Sequence, residues 1–202
     1  ATGKAFSAGH DLREMRSNPD EAFYRALFAQ CSAMMLTIQR MPQPVIALVQ
    51  GIATAAGCQL VAMCDLALAT AHARFAVSGI NYGLFCSTPS VGVSRAMGRK
   101  QAMEMLLTGD FIDADEAQRR GLINRVVDEQ ALDTEALALA QKIAAKPAVA
   151  VAMGKSLFYR QLEAPIAQAY QDAEATMACN MMDENAQEGF LAFLEKRQPQ
   201  FN

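Results

Sequence analysis

The segment PVIALVQGIATAAGCQLVAMC, residues 44–64, restricts the fold more than any other stretch of the chain. PVIALVQ (44–50) is apolar and β-branched without alternation, the pattern of a strand buried on both faces. CQLVAMC (58–64) suits a short buried helix. Between them Gly51 and Gly57 enclose small side chains, and one amide, Gln59, follows. Small residues at a strand–helix junction let another group approach the backbone closely. A helix beginning near Ala56–Gly57 leaves its first N–H groups without intrahelical partners, at the positive end of its dipole. That start can bind an anion or stabilise a developing one. Tight helix–strand packing is the other reading.

The rest of the chain alternates in the same way. SNPDEAFYRALFAQCSAMMLTIQRM (17–41) reads as one helix, with Asn18 as cap, Pro19 at the first helical position, and Asp20 and Glu21 at its positive end. Phe23, Leu27, Cys31, Met34 and Ile38 then share one face, and Pro42 and Pro44 stop it. DLALAT and RFAV read as short strands on either side of a turn at His72, and SGINYGLFCST (78–88) as a loop. SVGVSRAM, KQAMEMLLTG and DADEAQRR read as helices, the last closed by Gly121, and LINRVV (122–127) as a strand. From Asp128 onward the pattern is wholly helical. An α/β core over 1–127 with a helical region over 128–202 is therefore expected.

Composition narrows the function classes. Hydrophobic residues make up 52% of 202, enough for a sizeable core. A net charge of −3 argues against nucleic acid as a partner. No apolar run reaches membrane-spanning length, and the start lacks a basic segment followed by an apolar one, so neither a membrane nor a secretory signal is read. Five cysteines without CxxC spacing, with only two histidines, fit reduced thiols in the cytoplasm better than a zinc site. Neither GxGxxG nor GxxxxGK[ST] occurs, which counts against nucleotide binding.

A second soft segment, KAFSAGHDL (4–12), places Ser7, Ala8 and Gly9 before Asp11 and a helix-like LREM. Backbone donors from two such loops would together form an oxyanion hole. At this point KAFSAGHDLREM, the 44–70 segment, MEMLLTGDFIDADEAQRRGLINRVV and the closing EGFLAFLEKRQPQF jointly resemble the enoyl-CoA hydratase/isomerase (crotonase) superfamily. The resemblance runs in order over essentially the whole chain. GCQL with GLFCSTP is most similar to its enoyl-CoA hydratase domain-containing protein 3 branch.

The resemblance implies a ββα superhelix with a C-terminal helical trimerisation region, a homotrimer or dimer of trimers, and an acyl-CoA thioester ligand with no other cofactor. It makes the N–H groups of His10 and Ala56 the donors to the thioester oxygen. It places Gln59 and Gly79 where hydratases carry the two glutamates that activate water. An amide orients water but cannot take its proton, and glycine offers nothing, so ordinary hydratase chemistry is not expected. Ala8, Leu12 and Arg13 fall in the CoA loop, with a solvated face the alternative for Arg13. Cys86, Ser87 and Thr88 are expected to line the acyl pocket, and nothing basic flanks Cys86 to activate it. Phe193 and Lys196, in the last helix, match a region that reaches a neighbour's CoA. Asp11 and Asp65 match structural positions. The first strands of the family are expected to be missing, leaving a sheet edge and apolar surface exposed. A non-catalytic CoA-binding or assembly protein, or an isomerase or thioester hydrolase, are the alternatives. Restoring both acids, Gln59→Glu with Gly79→Glu, is expected to raise hydration.

Overall fold

The computed structural model describes residues 1–201. The chain forms two compact units, Ala1–Ile38 with Val45–Leu137, and Gln39–Pro44 with Ala138–Asn202. The first holds every strand. In chain order its elements are β1 (Ala5–Ser7), α1 (Leu12–Ser17), α2 (Glu21–Arg40), β2 (Ile46–Val49), β3 (Ile52–Thr54), α3 (Ala56–Met63), β4 (Leu66–Thr70) and β5 (Arg74–Ala76). A 3-10 turn at Ser78–Tyr82 leads to α4 (Ser87–Ala96), α5 (Arg99–Thr108), β6 (Ile112–Asp113), α6 (Ala114–Arg119) and β7 (Arg125–Val127), and α7 (Leu132–Ala144) passes from the first unit into the second.

Successive strands enter two different sheets. β1, β3, β5 and β6 form one, parallel except for the β5–β6 pair, and β2, β4 and β7 form the other, parallel throughout. Gly51 makes the step between sheets possible: a Cβ there would stand 2.2 Å from the Lys4 carbonyl oxygen, inside contact distance. The strands enclose a core of small and branched residues, in which Val49, Ala53, Leu68 and Phe75 are wholly buried. Runs of alanine at these positions bring the sheets and α3 close together. At the junctions, the Val45 N–H donates to the Asp65 carboxylate at 2.7 Å, which gives Asp65 its structural place.

Several local expectations change. The helix expected over 17–41 is α2, which starts only at Glu21, and the helix-like LREM is the separate α1, which runs to Ser17. Asp11 caps α1 by accepting from the N–H groups of Arg13 at 2.8 Å and Glu14 at 3.4 Å. Asn18 closes α1 rather than opening the next helix, its side chain donating to the Glu14 carbonyl at 2.9 Å. Asp20 is the cap of α2, accepting from the Phe23 N–H at 2.9 Å, so Pro19 lies outside the helix. On α2 the inward side chain is Met35, 3% exposed, whereas Met34 is 49% exposed. A step of one residue moves a helical side chain about 100° around the axis, so Met34 was misplaced by one position, while Cys31 and Ile38 are buried and Phe23 and Leu27 half-buried as expected. The strand expected over 122–127 is only Arg125–Val127; Leu122 and Ile123 are buried without pairing.

The second unit carries α8 (Ala148–Leu162), α9 (Ile166–Met181) and α10 (Glu184–Leu194). Arg160 on α8 pairs with Asp172 on α9 at 3.1 Å, and the buried Lys155 donates to the Gln43 carbonyl at 2.9 Å. Lys196 stands two residues beyond the end of α10 with φ of 57°, outside the last helix where it was expected.

Candidate active site

The site begins at the end of β3. Ala55 has φ of 51° and ψ of −122°, a backbone region that costs a non-glycine residue about 1–3 kcal/mol. Its N–H donates to the Ala76 carbonyl at 3.0 Å and its own carbonyl accepts from the Gln59 N–H at 3.1 Å, which fixes the bend. α3 therefore starts abruptly at Ala56, whose N–H faces no acceptor among the described residues. Gly57 follows because α3 lies directly on β1: a Cβ there would meet the Ser7 carbonyl oxygen at 2.1 Å.

The SAGHD loop closes on the same point. Gly9 has φ of +89°, and a Cβ on it would stand 3.1 Å from both the Ala56 nitrogen and the Ala55 Cβ. The loop is thus pressed against the start of α3, and the His10 N–H beside Gly9 also lacks an acceptor among the described residues. The His10 ring packs edge-on against Phe28 at 5.6 Å, with a buried Nε2 that has no partner.

Both donor residues line one cavity of about 340 Å³ within the first unit. Ala8, His10, Leu12, Ala56, Gly79, Cys86 and Ser87 are all on its wall, so most of the expected site residues are brought together. No carboxylate, lysine or arginine is among the lining residues. Arg13 is exposed on α1 and outside the lining, and Phe193 and Lys196 belong to the second unit.

The two residues that the resemblance sets at the glutamate positions, Gln59 and Gly79, are placed in different ways. Gln59 is 3% exposed and absent from the lining, with its Oε1 turned to the Cys31 thiol at 4.0 Å. Gly79 does reach the wall, but a Cβ there would stand 2.6 Å from the Leu84 carbonyl oxygen and 2.7 Å from Cys86 Sγ. The Leu84 N–H donates to the Gly79 carbonyl at 3.0 Å, so segment 84–86 is fastened over the glycine. A side chain at 79 has to displace that segment, which argues against the gain expected from Gln59→Glu with Gly79→Glu. Burial pushes the Cys86 thiol up, against an opposing hydrogen bond from the Gly79 backbone. Burial, with the neighbouring Cys86, pushes Cys58 up to about 12. Both are neutral thiols, poor nucleophiles.

Sequence reasoning passed over Thr54, Ser78, Met15, Phe28 and Phe85, which also line the cavity. Ser78 and Phe85 lay within the segment read only as loop, and Phe28 neighbours Leu27, which had been assigned to the inner face of its helix. Among the described residues no group of three or more His, Cys, Asp or Glu is placed to hold a metal. No single helix there is long and apolar enough to cross a membrane.

Strand pairs split between two sheets, each followed by a helix, with a helix start opening on an apolar pocket, define a crotonase-like protein. The chain belongs to the enoyl-CoA hydratase/isomerase family, whose pattern matches residues 1–202. It is similar to an enoyl-CoA hydratase of Mycobacterium smegmatis, 66% identical, with a TM-score of 0.97 over 99% of this chain and 78% of that one. The crystal structure of human enoyl-CoA hydratase domain-containing protein 3 is 46% identical, with a TM-score of 0.95 over 99% of this chain and 79% of that one. The mitochondrial rat protein of the same type is 47% identical over 199 residues, 98% of this chain but 66% of the relative. The chain thus spans just under two thirds of that relative's length.

These relatives correct the expected compartment. The rat, mouse and human proteins are named as mitochondrial, which sets aside the cytoplasmic expectation. Reduced cysteines fit any reducing compartment, so they do not separate one from another.

Proposed function

We propose that the protein binds an acyl-CoA thioester and polarises its carbonyl with the N–H groups of His10 and Ala56, without the two-glutamate addition of water. The observation that carries this reading is the unpartnered Ala56 N–H, held against Gly9 at the wall of an apolar cavity. A helix-start donor in such surroundings favours a developing enolate oxygen over the neutral carbonyl. Water addition also needs a group that takes a proton from water, and the lining includes no carboxylate.

A binder without turnover is the second reading, favoured by that same lining. Isomerisation or thioester hydrolysis would fall to the His10 imidazole, the one nitrogen base on the wall. For assembly we propose a homotrimer or a dimer of trimers. Met182, Phe193, Leu194 and Ile166, each more than 70% exposed on the second unit, support a face that other copies cover.

Calorimetry with butyryl-CoA and a hydration assay with crotonyl-CoA test the reading together. Saturable binding is expected, with hydration at least 10²-fold below that of an acid-bearing hydratase. Absence of acyl-CoA binding overturns the ligand class; hydration at an ordinary enzymatic rate overturns the statement on chemistry.

A further inference from the structure

Thr54 and Ser78 stand side by side on the cavity wall, and neither has a role in the reading above. Thr54 ends β3, two residues before the Ala56 donor, and Ser78 directly precedes Gly79. Their hydroxyls are 2.9 Å apart and bonded to each other, and either atom can be the donor. No other hydrogen bond engages either side chain among the described residues. Two hydroxyls carry two O–H donors, and one bond within the pair uses only one of them. The second O–H and the spare lone pairs are therefore available at a wall built mainly of apolar side chains, with the carbonyl-binding donors close by in the chain. An aliphatic acyl chain lying there covers these groups and leaves them unpaired, which weakens its binding. A chain that carries its own hydroxyl or oxo oxygen pairs with them.

We infer that the Thr54–Ser78 hydroxyl pair is a specificity element that selects acyl thioesters bearing an oxygen substituent on the acyl chain over their unsubstituted counterparts. The inference rests on the acyl-CoA reading of the site. Because the pair can reverse its internal bond, it presents a donor from either residue and accepts a hydroxyl in either role. Sites built to hydrogen-bond a substrate hydroxyl reject the analogue without it far more strongly than apolar pockets reject an added methylene.

Calorimetry with 3-hydroxybutyryl-CoA and butyryl-CoA, which differ by one oxygen, tests it on the full chain. Wild type is expected to bind the hydroxy ligand roughly 10-fold more tightly. Thr54→Val with Ser78→Ala is expected to bring the two affinities together while butyryl-CoA binding stays within about 3-fold of wild type or tightens. Each single variant, Thr54→Val or Ser78→Ala, keeps one hydroxyl and serves should the double variant fold poorly; each is expected to lose part of the preference. Equal binding of the two ligands by wild type overturns the inference, as does a preference that survives in both single variants undiminished. Neither result touches the acyl-CoA reading, which falls only if both ligands fail to bind.

Discussion

Gly57 shows how much rests on a single hydrogen atom in place of a methyl group. A Cβ at this position meets the backbone carbonyl oxygen of Ser7, the last residue of β1, at 2.1 Å, and backbone yields less readily than a side chain. Gly57→Ala is expected to cost about 3 kcal/mol, at the upper end for overpacking, and to lower Tm by roughly 10 °C in a thermal melt. Gly79 is a different case, because its obstruction is a loop. Gln59→Glu with Gly79→Glu places one acid against the Cys31 thiol in the core and drives the other into segment 84–86. That variant is expected to melt lower than wild type and to gain no measurable crotonyl-CoA hydration; a gain would show that the loop opens to receive the side chain. The meaning of Gln59 is therefore only half legible in sequence. The motif position identifies it, but only the burial beside α2 reveals that its amide is occupied elsewhere.

At the scale of elements, the end of the chain is fastened to α10. Arg197 forms a two-pronged pair with Glu188, at 2.6 and 2.8 Å, and the Gln200 N–H donates to the same carboxylate at 2.8 Å. The Arg197 guanidinium and then the Gln200 amide hold the Glu188 carboxyl well below its usual range, at about 2. A depressed folded value means that this fastening is complete above the unfolded carboxylate range, near 4.5, and is lost as pH falls towards about 2. The protection of the Gln200 amide, as exchange relative to its intrinsic rate at each pH, is expected to fall over that interval, and Glu188→Gln to lower it at neutral pH. The same scale shows where sequence patterns succeed and fail. β2, α3 and β4 were legible because long apolar runs end at glycine or a polar junction. β1, β3 and β6 are two or three residues long, too short for any alternation to register, and exist through their partners. The boundary between α1 and α2 was misplaced because Ser17 and Asn18 look like the start of the next helix, although their side chains bond back to Arg13 and Glu14.

For the whole molecule, the helices of the second unit leave large apolar side chains in water, Met182 at 82% and Phe193 at 80% exposure among them. Sedimentation is expected to give about three times the chain mass of 21.8 kDa, or six times if trimers pair. Phe193→Asp with Leu194→Asp is expected to shift the population towards monomer; an unchanged mass would place the contact elsewhere. The arrangement of the first unit bears also on how the chain reaches its fold. None of its strand pairs is a hairpin: Ile46 pairs with Leu66, Ala5 with Ile52, and Leu68 with Arg125. Each sheet must close loops of some twenty to nearly sixty residues before any ladder bond compensates for the lost chain entropy. A nascent chain emerging amino end first therefore holds β5 without its last partner until Asp113 has cleared the ribosome, and β4 without its own until Val127 has, so both sheets complete late.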